Sequence, residues 1–306
     1  MNDEIKFEVP SLASSAMLVE LQISTWTARK KDKRASTNVT DNNNAERGTA
    51  TVNKKLLGKC NELDAIQKFA ANARVTHYGM TMPWSDLGQR LLTTEMYFDY
   101  HKVMTELQQE YEGLCNYFIS NYSFEIAQAH SRLGNLFNHN DYPSPESIID
   151  KFRFKIAYLP LPEFGDFRVD VGKEGTQLLQ DHYRDYYTSQ VEVAMGDLWK
   201  RLYTCLDNMS ERLREPTHEE QNSKRKVTKT GSLIFRDSLV ENMIGMLDML
   251  KTCNVTGDSQ MEAMRMQLDN VLHGITPDAL REDSLLRAET KKAVDKAIAD
   301  LPSLDL

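Results

Sequence analysis

The chain has 306 residues, of which 41% are hydrophobic and 27% are charged. This length suits one large domain or two modest ones, and the apolar share is sufficient for a hydrophobic core. With only 14 glycines, 9 prolines and no apolar run near the roughly 20 residues of a membrane helix, the composition excludes collagenous and membrane-spanning classes. It predicts a soluble, folded protein.

The charge balance is acidic, since 45 Asp and Glu outnumber 37 Lys and Arg for a formal net charge of −8. A broad nucleic-acid-binding surface needs an excess of Lys and Arg on at least one face, so this balance leaves room only for a local basic patch. The N-terminal residues lack the basic and apolar segments of a secretory signal, and the four cysteines include no C-x-x-C pair. Both features predict a cytoplasmic protein with reduced thiols.

The N-terminal half begins with a predicted strand. Apolar and polar residues alternate over residues 18–26, which is typical of a strand with one wet face. Residues 29–49 are basic and then polar, with almost no apolar side chain, and they predict a mobile loop. Helical spacing starts at Thr51 and predicts a first helix that stops near Gly79.

A turn is predicted next, over residues 82–86, with Ser85 as the N-cap of a short helix. The apolar spacing then predicts a long amphipathic helix over residues 100–118 and a second helical piece over residues 123–137. Ser144 is the expected N-cap of a brief helix that follows.

Two further strands are predicted over residues 154–159 and 167–171, joined by a Pro-containing loop. An isolated hairpin is marginal in water, so a third strand is needed, and the segment 18–26 is the other convincing candidate. We therefore expect these three strands to form a small antiparallel sheet that is covered by helices.

The C-terminal half is predicted to be helical. Apolar residues keep a three-or-four spacing over residues 173–214, which predicts one long helix, and a charged linker follows over residues 215–231. Three shorter helices are expected after it, over residues 235–249, 260–272 and 278–299. The predicted fold class is thus α+β and predominantly helical, with a mixed region over residues 1–172 and a helical region over residues 173–306.

Motifs for nucleotide, metal and acyl-transfer chemistry are missing from the sequence. It contains no P-loop, no G-x-G-x-x-G after a strand, no H-E-x-x-H and no G-x-S-x-G. Polar groups suited to acid/base chemistry lie near turns at residues 138–142 and 166–170, but turn hydrogen bonds and a cross-strand ion ladder explain them better. We therefore expect a non-enzymatic protein without a cofactor or metal.

Two basic runs oppose the global acidity and form a candidate nucleic-acid interface, with a tryptophan as a stacking residue. Solvated loops are the plainer interpretation of such runs. The candidate residues are Trp26, Arg29, Lys30, Lys31, Lys33, Arg34, Lys224, Arg225, Lys226 and Lys229, with Arg236 nearby.

A methionine-rich C-terminal segment is a candidate surface for a protein partner. Flexible thioethers suit adaptable grooves, but they also fill irregular cores, and the helical spacing alongside leucines favours the core. The residues are Met243, Met246, Met249, Met261 and Met264.

Seven segments resemble, in matching order, a family of phage and bacterial proteins that has no assigned activity: residues 21–32, 52–57, 82–84, 133–137, 141–144, 166–169 and 235–242. Members of that family are often encoded beside MoxR-type AAA+ ATPases and von Willebrand A or cobaltochelatase-like proteins. The resemblance supplies no catalytic residue. It implies an interaction, adaptor or assembly protein of the bacterial or phage-infected cytoplasm that works with a MoxR-type ATPase.

We also expect a homo-oligomer. Two alternatives stay open. The first is a nucleic-acid-binding protein that uses the two basic runs, and the second is a phage structural or assembly protein.

Overall fold

A computed structural model of the protein covers residues 12–162, 172–221, 227 and 233–303. This described part is predominantly helical with a small share of strand, which confirms the predicted α+β class. Its α-helices are α1 (Leu12–Ser15), α2 (Lys33–Asn42), α3 (Asn61–Gly79), α4 (Tyr97–Leu133), α5 (Pro145–Ile149), α6 (Gly172–Leu213), α7 (His218–Gln221), α8 (Ser238–Cys253), α9 (Ser259–Leu272), α10 (Pro277–Glu282) and α11 (Ser284–Ala299). Its strands are β1 (Ala16–Ser24), β2 (Arg29–Asp32), β3 (Val52–Lys55), β4 (Met82–Pro83), β5 (Gln89–Thr93) and β6 (Arg153–Pro160).

Four of the strands form a small antiparallel sheet in the order β4-β5-β1-β6. The expected pairing of the N-terminal strand with the strand near residues 154–159 is confirmed, because β1 and β6 are neighbours. The strand predicted over residues 167–171 lies outside the described residues.

The hairpin of β4 and β5 contains the turn predicted near Ser85 but replaces the short helix that was predicted to follow it. Met82 pairs with Leu91, and the Ser85 N–H donates to the Gln89 carbonyl, which closes the hairpin turn. The buried Leu91 and Leu92 are adjacent in the sequence. Strand β5 therefore lacks the period of two that identifies a half-buried strand.

The segment predicted to be a mobile loop, residues 29–49, forms strand β2 and helix α2. Strand β2 pairs antiparallel with β3, so the prediction that helical structure starts at Thr51 is also wrong. The Asp32 carboxylate accepts the Ala35 N–H at 2.9 Å and caps α2, and the Ser36 hydroxyl accepts the Val52 N–H at 3.0 Å. Strand pairing and polar side-chain hydrogen bonds thus order a segment that has few apolar residues to bury.

The chain groups into two compact units whose segments interleave along the sequence. Unit 1 comprises Met1–Val19, Thr81–Tyr97 and Tyr158–Leu306, and unit 2 comprises Glu20–Met80 and Phe98–Ala157. The sequence pattern instead predicts a division of the chain at residue 172.

Unit 1 packs helices α8 and α11 against the long helix α6. Helix α6 matches the prediction over residues 173–214, and its buried face includes Leu198, Leu202 and Leu206, all with no exposed area. Helices α8 and α9 confirm two of the three predicted C-terminal helices to within a few residues. The third prediction is corrected to the two helices α10 and α11, because extended Asp283 ends the first and caps the second.

Unit 2 contains most of α4 and all of α3. Helix α4 is continuous to Leu133, whereas the sequence predicted two pieces. Its buried face continues from Phe118 through Tyr122 to Ala129, so packing supports one helix across the predicted break. The predicted N-cap at Ser144 is confirmed, since its hydroxyl accepts the Ser147 N–H at 3.2 Å.

Candidate nucleic-acid interface

The two-stranded ribbon of β2 and β3 in unit 2 has two chemically different faces. Its register pairs Arg29 with Lys55, Lys31 with Asn53, Lys30 with Lys54, and Asp32 with Val52. Side chains alternate between the faces along a strand, and directly opposed residues share a face. We call Arg29, Lys31, Asn53 and Lys55 the open face, and Lys30, Asp32, Val52 and Lys54 the anchored face.

The lysines of the anchored face are neutralised by acidic side chains. The Asp141 carboxylate lies 2.8 Å from the Lys30 Nζ and 2.6 Å from the Lys54 Nζ. Lys54 also donates to the Leu136 carbonyl at 2.9 Å and lies 3.9 Å from the Asp32 carboxylate. Two cations therefore face two carboxylates, and this face attaches the ribbon to the segment that follows α4.

The open face carries positive charge without acidic partners. Arg29, Lys31, Asn53 and Lys55 are all exposed. In the part of the chain that the structure describes, no carboxylate forms an ion pair with any of its three cations. The open face thus presents three uncompensated charges and one amide to solvent.

Two further exposed cations, Lys33 and Arg34, lie in the first turn of α2. A positive side chain is unfavourable at a helix N-terminus, because it repels the positive end of the helix dipole. These residues therefore do not stabilise α2. They extend the positive charge beyond the end of β2.

A cleft of about 350 Å³ lies in unit 2 beside one end of the open face. Its charged lining consists of Arg29, Lys55, Lys59 and Asp64. Lys59 is exposed and, like the two ribbon cations, forms no ion pair with another described residue. The cleft therefore combines three positive charges with one negative charge.

Three apolar side chains line the cleft, and the backbone beside it is left-handed at two positions. Ala28, Leu57 and Leu63 contribute to the lining. Ala28 has a φ of +48° and Gly58 a φ of +64°, so the chain adopts the left-handed conformation just before β2 and shortly after β3. A Cβ at Gly58 would lie 3.4 Å from the Arg132 Cδ, so the positive φ, rather than lack of space, favours glycine there.

The structure contradicts the stacking role predicted for Trp26. Its side chain is only 8% exposed, and its ring lies edge-on to Tyr122 with a centroid distance of 5.7 Å. Phe118 lies on the same side of α4, at 6.4 Å from the Trp26 ring. Trp26 is therefore a core residue of unit 2, and it lies three residues before the ribbon begins at Arg29.

The second predicted basic run lies outside the described residues, apart from the neighbouring Arg236. Lys224, Arg225, Lys226 and Lys229 lie outside the described residues. Arg236 is exposed in unit 1 and lines a cleft there. A joint patch formed by the two runs stays a prediction.

The methionines proposed as a partner surface lie mainly in the core of unit 1. Met243, Met246, Met261 and Met264 are at most 5% exposed, and Met249 is half-buried against the same cluster. Buried side chains cannot receive a partner without unfolding the helices around them. The structure therefore corrects the partner-binding prediction for these four residues and supports core filling.

The polar segment 138–142 has structural roles. Asp141 holds the anchored face, and the Tyr142 hydroxyl donates to the Leu56 carbonyl. Burial, with a smaller contribution from the charge of Asp141, raises the pKa of Tyr142 to about 12. The other polar segment, residues 166–170, lies outside the described residues.

Three potential metal-ligating side chains, Cys60, Glu62 and Glu125, come within 4.8 Å of one another. Glu125 is already paired with Arg132 at 3.3 Å. Burial raises the pKa of the Cys60 thiol to about 12, so the group remains protonated at neutral pH. A divalent cation would therefore have to displace the thiol proton and compete with the Arg132 ion pair in order to bind here.

The ion pairs of Asp141 predict a pH-dependent contribution to stability. Burial alone would raise the pKa of Asp141, but hydrogen bonds from Lys30 and Lys54 outweigh it and hold the pKa below its usual value of 3.8. A depressed carboxylate pKa stabilises the folded state above the unfolded pKa, and the gain is lost as the pH falls through the folded pKa. We expect Asp141→Asn to lower the free energy of unfolding by about 1–3 kcal/mol at pH 7.

That difference between the wild type and Asp141→Asn should shrink as the pH is lowered below about 4, as measured by urea denaturation. Asp150→Asn removes an exposed carboxylate from the same unit and serves as the control. A difference that stays constant down to pH 2 would contradict the ion-pair explanation.

Comparison with known proteins identifies no relative. The chain matches no protein-family model, no curated protein and no solved structure. None of the described helices has the length and apolar content that a bilayer span requires.

Proposed function

We propose that the protein binds nucleic acid through the open face of the ribbon. The observation that carries this proposal is the division of charge between the two faces. The two lysines of the anchored face form ion pairs with Asp141 and Asp32. The three cations of the open face, Arg29, Lys31 and Lys55, have no acidic partner in the described structure. Exposed cations clustered on one face attract the phosphate backbone, and this attraction dominates nucleic-acid affinity.

The shape of the ribbon is compatible with a duplex. Two paired strands lie about 4.8 Å apart, so the ribbon backbone is narrow. The major groove of B-DNA is about 12 Å wide and admits a two-stranded β-ribbon. Lysine and arginine contacts to phosphates fix position and carry no sequence information, so Asn53 is the one uncharged polar side chain of the open face suited to a base edge.

The global acidity of the chain restricts the interface to this local patch. A net charge of −8 repels a polyanion at long range, while the five cations Arg29, Lys31, Lys33, Arg34 and Lys55 attract it at the ribbon. Both effects are screened by salt, but short contacts with counterion release persist. We therefore expect moderate affinity with a steep dependence on salt.

The test is a salt titration of the purified full-length chain with fluorescently labelled duplex DNA, followed by anisotropy. Three to five phosphate contacts should make the logarithm of the association constant fall linearly with the logarithm of salt concentration, with a slope of about −3 to −4.5. Absence of binding at about 50 mM salt, where such contacts are strongest, would refute the proposal.

The partnership with a MoxR-type AAA+ ATPase rests on the sequence resemblance alone. It is compatible with nucleic-acid binding, because an adaptor can hold a nucleic acid on one surface and a protein on another. The phage context and a homo-oligomeric state likewise stay predictions.

A further inference from the structure

The cleft beside the ribbon has a charge that suits a particular kind of phosphate. Arg29, Lys55 and Lys59 contribute three positive charges, and Asp64 contributes one negative charge, which leaves a formal charge of +2. A phosphate monoester carries about −1.5 to −2 near pH 7. A phosphodiester within a strand carries a single negative charge. The cleft therefore complements a monoester more closely than an internal phosphate.

The size and lining of the cleft point to the same class of ligand. Its volume of about 350 Å³ is at the lower end of the range for small-molecule sites. Ala28, Leu57 and Leu63 also line the cleft but are at most 4% exposed, so the cations and the backbone, rather than an apolar surface, would contact the ligand. A continuous base-paired stretch does not fit a concave site of this size, but the terminal nucleotide of a strand does.

The cleft is also continuous with the ribbon. Arg29 and Lys55 are directly opposed in the register and belong to both the open face and the cleft, whereas Lys31 belongs only to the open face and Lys59 only to the cleft. A strand that follows the open face toward the Arg29–Lys55 pair therefore reaches the cleft at its end. Lys31 is therefore expected to affect the affinity for any nucleic acid, whereas Lys59 is expected to affect only the binding of a strand end.

We propose that this cleft binds the terminal phosphate monoester of a nucleic-acid strand, so that the protein prefers phosphorylated strand ends to hydroxyl ends. The proposal rests on the proposed function, since the same ribbon supplies two of its cations. The chemistry recognised is a phosphate monoester with an adjoining nucleoside.

The experiment compares three versions of one short labelled duplex, which carry a 5′-phosphate, a 3′-phosphate or only hydroxyl ends. The full-length chain is titrated with each by anisotropy at a fixed salt concentration. We expect at least one phosphorylated version to bind about tenfold more tightly than the hydroxyl version, which is the gain from one charge-assisted contact. Comparison of the 5′- and 3′-phosphate versions identifies the end.

Two variants assign the preference to the cleft. Lys59→Ala should abolish the preference and leave the affinity for the hydroxyl duplex nearly unchanged, whereas Lys31→Ala should weaken binding of all three duplexes by a similar factor. Both side chains are exposed and form no ion pair within the described residues, so neither change should affect folding, which circular dichroism checks.

The outcomes are distinct. Equal affinities for all three duplexes, with salt-dependent binding intact, overturn the strand-end proposal and leave the proposed function standing. A preference that keeps its full size in Lys59→Ala also overturns it, because a phosphate held in the cleft would lose one of its three cations. Failure to bind any of the duplexes at low salt overturns both proposals.

Discussion

Replacing the three cations of the open face with alanine should reduce the affinity for duplex DNA about 100-fold at moderate salt, because each lost contact is worth about 1 kcal/mol. The variant combines Arg29→Ala, Lys31→Ala and Lys55→Ala. The slope of the salt dependence should also become shallower by about 3, since each phosphate contact contributes close to one unit. All three side chains are exposed, so the fold should be retained.

A matched control removes the same charge from elsewhere in the chain. Lys200, Lys251 and Lys292 are exposed lysines on α6, α8 and α11. Their combined replacement with alanine changes the net charge by the same amount and should lower the affinity by less than about threefold, because none of the three belongs to the ribbon and salt screens the effect of net charge. An equal loss in both triple variants would show that binding follows overall charge, and the ribbon would then have no special role.

Replacing Trp26 with alanine should destabilise the protein by about 3–5 kcal/mol, the usual effect of truncating a buried aromatic residue. The expected cause is the cavity left between the start of the ribbon and the rings of Phe118 and Tyr122. Urea denaturation followed by circular dichroism measures the change. Trp26→Phe keeps an aromatic ring in place and should lose less stability.

DNA binding by the Trp26 variants distinguishes a core role of this residue from a base-stacking role. Stacking of a base on an aromatic side chain is worth about 1–3 kcal/mol of binding free energy when that side chain is replaced by alanine. Because Trp26 is 8% exposed, we expect Trp26→Ala, under conditions where it remains folded, to bind DNA within about twofold of the wild type, well below the change that lost stacking would cause. A stable Trp26→Ala variant with much weaker DNA binding would show that the ring contacts nucleic acid after all.

Long helices were the most predictable part of the fold. Helix α6 keeps apolar residues at a spacing of three or four along its whole length, and its observed bounds, Gly172–Leu213, lie within a residue of the prediction. The N-cap at Ser144 was identified for the same reason, since a cap depends on a few consecutive residues. Periodicity and capping are local, so a sequence indicates them most clearly where a pattern continues over many residues, as it does in α6.

The ribbon could not be predicted from the same local patterns. Strand β2 consists of Arg-Lys-Lys-Asp and β3 of Val-Asn-Lys-Lys, and neither shows apolar alternation. Their pairing is set by hydrogen bonds between strands about 20 residues apart and by Asp141, which is more than 80 residues further along the chain. Composition alone therefore indicated a loop.

The sequence by itself determined that basic residues cluster between Arg29 and Arg34 and that Trp26 precedes them. Only the tertiary structure decided which of these cations are compensated. Lys30 contacts Asp141, whereas Arg29 and Lys31 lie on the opposite face of the ribbon together with Lys55. Lys59 lines the adjoining cleft, and the basic runs of the sequence indicate neither Lys55 nor Lys59. The physical reason has two parts. Side chains alternate along a strand, so neighbouring residues lie on opposite faces. Long-range pairing then decides which face contacts a carboxylate and which is exposed to solvent.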